Sequence, residues 1–275
     1  MSAKSGKKKV GLALSSGAAR GWAHIGVLGV LEKEDVPIDM IAGTSAGALI
    51  GALYAGGKDA GQLKKLAMEI DRKKAVSLTD PALPKTGFFE GKKIKDWMRL
   101  IIGKVEFRDL RMPFACVATD IQTGKEVVIE RGSVVEGVRA SASMPVLLSI
   151  AKWQGKYLVD GGLVNPVPVS VLKDMGADFI IAVNVVPGMS DRVNGGNREP
   201  TEDSREPNIF NILMRAIHIA GYQAVESSLN GADVVIKPQV AHIGFGDAHR
   251  AQECILQGEL AAVASIREIK KQLGG

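Results

Sequence analysis

Pro37-Ile38-Asp39-Met40-Ile41-Ala42-Gly43-Thr44-Ser45-Ala46-Gly47-Ala48-Leu49-Ile50-Gly51-Ala52-Leu53-Tyr54-Ala55 is the stretch whose reading decides the fold. Its first six residues are an apolar, β-capable run, and its last eight are small and helix-forming. Between them stands a Gly-x-Ser-x-Gly pentapeptide, Gly43 to Gly47. The order strand, tight turn, helix presents a serine hydroxyl at the carboxyl edge of a sheet. Such a turn needs glycine on both sides, because a Cβ would not tolerate the backbone angles and close approach. The helix behind it aims free N–H groups and a positive dipole end at charge developing on the serine. Ser45 is therefore the candidate nucleophile.

Outward from this elbow, strand and helix patterns alternate. Lys9 to Leu14 reads as a first buried strand, followed by a small-residue loop, Ser15 to Gly21, and a helix from Trp22 to Glu34 with Ile25, Leu28 and Leu31 in phase. After the elbow helix, Gly56-Gly57 forms a stop. Helices are predicted over Asp59 to Ile70 and Gly91 to Gly103, the latter with Ile94, Trp97, Met98 and Ile101 on one side, and a loop over Asp80 to Glu90. Strands follow at Phe114 to Asp120 and Glu126 to Glu130, then a helix over Val134 to Ser143 that Pro145 terminates. A short strand, Lys156 to Val159, runs into Asp160-Gly161-Gly162. Further helices are expected at Val169 to Met175, Ile209 to Leu229 and Ala248 to Leu273, and strands at Phe179 to Val186 and Val234 to Lys237. The alternation implies one α/β domain over 9–275 with a mostly parallel central sheet. A basic stretch, 1–8, is expected to be a flexible N-terminus, and the polar segment 187–207 a mobile surface loop.

Composition narrows the function classes. The chain has 275 residues, 46% hydrophobic and 24% charged, with a formal net charge of +5. No apolar run reaches the length of a membrane-spanning helix. The basic N-terminus resembles the start of a signal, but the apolar run behind it breaks at Ser15-Ser16-Gly17. Cys116 and Cys254 form neither a disulfide framework nor a metal spacing, so no metal or cofactor is expected and a cytoplasmic location is. Lys and Arg outnumber acidic residues between Lys58 and Arg111, as on a solvated face or one that meets anionic headgroups. No nucleic-acid motif is present and aromatic interleaving is sparse, so nucleic acid is not expected as a partner.

Two further elements sit at strand-to-loop junctions. In Ser15-Ser16-Gly17-Ala18-Ala19-Arg20-Gly21, small residues let consecutive N–H groups face a ligand oxygen, either an oxyanion or a phosphate. A nucleotide loop is disfavoured, because the Walker lysine and the Gly-x-Gly-x-x-Gly spacing are both absent. At Asp160-Gly161-Gly162, an aspartate at a strand end precedes a sharp turn, as in a plain Asp-Gly turn or a carboxylate aimed into a cleft. A serine needs a base at neutral pH, and that base is a histidine or a carboxylate.

The run Gly11 to Leu28, the Gly43–Gly47 elbow, Asp160-Gly161-Gly162 and Ala140-Ser141-Ala142-Ser143-Met144-Pro145 together resemble the patatin-like phospholipase family. Small bacterial members related to the neuropathy-target-esterase catalytic domain are the nearest in motif. The resemblance implies a single three-layer α/β/α domain and a Ser–Asp dyad acting on acyl esters of phospholipid or lysophospholipid. Ser45 matches the nucleophile and Asp160 the base, with Gly17, Ala18 and Ala19 as oxyanion donors. Arg20 follows as a brace of that loop or a contact for lipid phosphate. It implies no cofactor and allows peripheral contact with an anionic membrane at its inner face. Many relatives carry three glycines where this chain has Ser16-Gly17-Ala18. Two alternatives are an α/β-hydrolase triad completed by His242 or His249, and a lipid-binding regulatory protein with a weak site. The Trp97/Ile101 helix and the Pro81–Phe89 loop are candidate lids.

Overall fold

In the computed structural model, which describes residues 8–70, 72–80, 87–188 and 209–274, the central strands are buried along their whole length. They are β1 (Val10–Leu14), β2 (Met40–Thr44), β3 (Phe114–Asp120) and β7 (Phe179–Val183), joined by β8 (Val234–Ile236). Pairing is parallel from β3 through β2, β1 and β7 to β8. β4 (Glu126–Ile129) and β6 (Lys156–Asp160) pair antiparallel with β3, and β5 (Ala151–Trp153) antiparallel with β6. The result is a single α/β domain with a mixed, mostly parallel sheet of eight strands.

Alternation along the strands divides the core. Leu12, Leu14, Phe114, Cys116, Phe179 and Ile181 face one helical layer. Ala13, Ala115, Val117, Ile180 and Ala182 face the other. The first layer holds α1 (Ala23–Lys33), α2 (Ala46–Ala55), α3 (Ala60–Met68), α5 (Lys92–Ile102), α6 (Val134–Ser141) and α9 (Ala251–Leu273). The second holds α7 (Val169–Asp174) and α8 (Ile209–Ser228), the latter through Val225. A short helix, α4 (Arg72–Ser77), lies beyond α3. Cys116 and Cys254 are free and buried.

α1 and α9 cross so closely that a Cβ on Gly26 would come within 2.0 Å of the Ile255 carbonyl oxygen. One on Gly258 would come equally close to that of Ala23. α3 begins with a reciprocal cap, in which Asp59 accepts from the Gln62 N–H and the Gln62 side chain accepts from the Asp59 N–H. α5 is capped from outside its own turn: the Asp80 carboxylate accepts from the N–H groups of Gly91, Lys92 and Lys93. Several basic side chains of 58–111 are paired on the surface, including Lys64 with Glu259, Lys92 with Glu90 and Lys95 with Glu136.

Element boundaries differ from expectation in physically readable ways. β2 starts at Met40, not Pro37, because proline has no N–H to offer and Asp39 instead bonds Val10 with both backbone and carboxylate. α2 starts at Ala46, directly behind Ser45. α6 ends at Ser141, well before Pro145, where the chain turns to form part of a cavity wall. β5 was not anticipated; its three residues are too few to show a period. Apart from Lys8, Pro187 and Gly188, the stretches 1–8 and 187–207 lie outside the described residues. No helix among the described residues is long and apolar enough to cross a membrane.

Candidate active site

Ser45 joins β2 to α2 with φ 55° and ψ −114°, a conformation unusual for a residue with a side chain. The turn is possible because Gly47 lies against β1: a Cβ there would come within 2.2 Å of the Leu14 carbonyl oxygen. The backbone is held from outside. The Ser45 N–H donates to Ser141 Oγ at 2.9 Å, and the Ser141 hydroxyl donates to the Val117 carbonyl. Thr44 Oγ1 donates to the Asn165 carbonyl, and the Asn165 N–H donates to the Gly161 carbonyl. The elbow and the turn after Asp160 are thus tied together.

The strand register brings Ser45 to Asp160. Cys116 and Val117 pair with both β2 and β4, and Ala118 and Thr119 with both β4 and β6. β4 therefore occupies one edge of β3, while β2 and β6 follow one another along the other. β2 ends with Thr44 opposite Val117, and β6, running the opposite way, ends with Asp160 opposite Ala118. The two strands meet end to end at adjacent positions of β3. Ser45 Oγ donates to Asp160 Oδ2 at 2.6 Å, and both residues are buried, at 7% and 5% exposure.

Asp160 is further fixed by the Gly162 N–H, which donates to Oδ1 at 2.8 Å, and by its own N–H, which donates to the Ser143 carbonyl. Burial raises its pKa from 3.8 to about 6, against the opposing hydrogen bonds from Ser45 and Gly162. A carboxylate so placed is a stronger base than an exposed one and is still ionised at neutral pH.

The loop after β1 leaves the sheet beside the elbow, since Leu14 is opposite Gly43. Its N–H groups divide by use. Ser16 donates to the Pro166 carbonyl, Ala19 to that of Phe245 at 3.3 Å and Arg20 to that of Gly17. Among the described residues the N–H groups of Gly17 and Ala18 have no acceptor, and both residues border the same small chamber as Ser45. Arg20 is buried, and its Nε donates to the Ile243 carbonyl at 2.8 Å, bracing the loop. His24 is wholly buried, with Nε2 bonded to the Ser15 carbonyl; burial lowers its pKa to about 4, so the ring is neutral and donates. His242 pairs with Glu253 and His249 with Arg72. Asp160 takes its two side-chain bonds from Ser45 and Gly162, not from either histidine.

Ser45 and Asp160 stand where two chambers meet, with Ala18, Met144 and Phe245 completing the neck. The larger chamber, about 380 Å³, is walled by Trp22, Leu49, Ile70, Leu78, Phe89, Ile94, Trp97, Met98, Leu147 and Leu148. The smaller, about 70 Å³, is bordered by Ser16, Gly17, Arg20, Gly162, Leu163, Ile217 and Tyr222. Of the expected lid segments, Trp97 and Phe89 line the larger chamber, Ile101 packs against the core, and 81–86 lie outside the described residues. Ser141 lay in the Ala140–Pro145 motif but had no assigned role, and Asn165 had no distinct local signal: each acts on a residue about a hundred positions away.

Known proteins resemble this chain in sequence and in fold. The family described as patatin-like phospholipase matches residues 12–173. An uncharacterized NTE family protein of Mycobacterium tuberculosis is 35% identical over 205 residues, covering 74% of this chain and 54% of that protein. Lysophospholipase NTE1 of Meyerozyma guilliermondii is 32% identical over 272 residues, covering 92% of this chain and 19% of that protein. The chain thus spans about half the length of the mycobacterial relative and about a fifth of the yeast one. In fold it is similar to the crystal structure of VipD from Legionella pneumophila, with a TM-score of 0.57 at 15% identity over 96% of this chain and 67% of that one.

Proposed function

The chain belongs to the patatin-like phospholipase family, and from that premise we propose that it is a serine hydrolase of lipid acyl esters, of phospholipase or lysophospholipase type, working through a Ser45–Asp160 dyad. The observation that carries this reading is the buried 2.6 Å bond from Ser45 Oγ to Asp160 Oδ2, at the neck of an apolar chamber.

Ser45 Oγ attacks the ester carbonyl as its proton passes to Asp160. Negative charge gathers on the former carbonyl oxygen. The unpaired N–H groups of Gly17 and Ala18 and the first N–H groups of α2, behind Ser45, stabilise it. The third expected donor, Ala19, contributes only by giving up its bond to Phe245. The ester C–O bond breaks, the alcohol leaves with the proton from Asp160, and the acyl group remains on Ser45. Water then attacks the acyl-enzyme, giving its proton to Asp160, and the fatty acid departs as Ser45 recovers its hydroxyl. Arg20 braces the oxyanion loop, and its place at the small chamber supports a secondary role toward a lipid phosphate. The basic 58–111 segment supplies walls of the large chamber, which supports contact with an anionic leaflet. The two free cysteines favour the cytoplasmic side.

The test is a panel of lysophospholipid, phospholipid and simple ester substrates run on wild type, Ser45→Ala and Asp160→Asn. The Ser45 variant should lose at least about a thousandfold in turnover and all fluorophosphonate labelling. Asp160→Asn should lose about a hundredfold or more. His242→Gln and His249→Gln should keep activity. Near-normal turnover by folded Asp160→Asn, or loss in a histidine variant, overturns the dyad.

A further inference from the structure

Ser45 faces two chambers of very different size and character, and the two sides of an ester must be shared between them. We propose that the small chamber is the leaving-alcohol subsite and that Tyr222 and Ile217 of α8 set the width of the alcohol segment next to the ester. This rests on the dyad reading above and assigns the second half of its substrate site.

At the tetrahedral carbon, acyl chain and alkoxy group point away from each other, so only one can lie in each chamber. Hydrocarbon gains by leaving water, which favours the large chamber walled by Leu49, Trp97, Met98 and Leu148 for the acyl chain. The small chamber offers the Ser16 hydroxyl, Arg20 and the Tyr222 ring alongside Ile217 and Leu163, a mixed surface suited to an alcohol bearing further hydroxyls. Size agrees. A water-sized group needs about 10–15 Å³ of such space, so about 70 Å³ holds roughly five to seven groups, the glycerol portion that adjoins the ester, while a headgroup beyond it passes out through the chamber's open side. By the same measure the about 380 Å³ chamber holds roughly 25 or more, enough for a long acyl chain. Asp160 borders both chambers, so an alkoxide leaving into the small one stays beside the carboxyl group that must protonate it.

The experiment keeps the acyl group constant and varies the alcohol. Decanoate esters of methanol, glycerol and 2-naphthylmethanol are assayed on wild type, Tyr222→Ala, Ile217→Ala, Tyr222→Trp and Trp97→Ala, each checked for folding by circular dichroism. Wild type is expected to favour the methyl and glyceryl esters over the naphthylmethyl ester by tenfold or more in kcat/KM. Tyr222→Ala or Ile217→Ala should narrow that ratio at least fivefold, while Tyr222→Trp should widen the methyl-to-glyceryl ratio. Trp97→Ala should shift preference along a hexanoate-to-palmitate methyl ester series and leave the alcohol ratios alone. If the alcohol ratios follow Trp97→Ala and ignore both Tyr222→Ala and Ile217→Ala, the alcohol occupies the large chamber and the assignment is wrong. If no decanoate is cleaved in a Ser45-dependent way, the dyad reading fails, and this assignment falls with it.

Discussion

Asp160 and His24 answer to pH in opposite directions over nearly the same interval. Asp160 goes from 3.8 unfolded to about 6 folded, so between those values the fold holds the extra proton. Its contribution favours the fold at low pH and is withdrawn as pH rises through 6, where a buried carboxylate costs on the order of 3 kcal/mol. His24 goes from 6.5 to about 4, so its burial is harmless above 6.5 and destabilises by a comparable amount as pH falls toward 4. In wild type the two offset each other. Asp160→Asn should therefore melt several degrees higher than wild type at pH 8. Its own melting temperature should fall between pH 6.5 and 4, closing the gap; calorimetry across this range tests both. For the proposed catalysis the sign is set by Asp160 alone. kcat/KM should rise tenfold per pH unit below about 6 and level off above it, because only ionised Asp160 accepts the Ser45 proton. A profile flat through pH 5 would contradict Asp160 as base.

The elbow is held in place by other elements rather than by its own sequence. Ser141→Ala leaves the Ser45 N–H and the Val117 carbonyl without their shared partner. It should cost about 1–3 kcal/mol by urea midpoint and slow fluorophosphonate labelling of Ser45. Gly47→Ala puts a Cβ against the Leu14 carbonyl and should cost more than about 3 kcal/mol. What was legible in the sequence follows the same division. Ser45 and Asp160 stood out because each sits where an apolar strand breaks into glycine, a change that local composition records. Ser141 lay in a quoted motif, yet its partners are Ser45 and Val117, and no periodicity reports contacts at that separation. The amphipathic helix with Ile94, Trp97 and Met98 on one side was visible, but that this face lines a chamber also walled by Leu147 and Leu148 depends on tertiary packing. The pairing of Gly17 and Ala18 apart from Ala19 likewise turned on Phe245, far along the chain.

At the scale of the molecule, the family match stops at residue 173, but the fold does not. β1 takes its second neighbour from β7, and α9 seats its Gly258 on α1. A chain cut after residue 173 exposes that edge and the apolar face of α1, and is expected to aggregate rather than fold, as sedimentation would report. The intact protein should co-sediment with phosphatidylglycerol vesicles at low ionic strength and dissociate in high salt, where screening removes the attraction of its basic segment. One further consequence belongs to β3, which fixes the spacing of Ser45 and Asp160 without lending either of them a side chain. Because β2 and β6 abut at Val117 and Ala118, the strand acts as a ruler, and the gap between Ser45 and Asp160 is one rung of its ladder. Loop motion cannot change such a length; only melting of the sheet can. Heat inactivation should accordingly coincide with global unfolding, and activity should survive intact up to the edge of the melting curve.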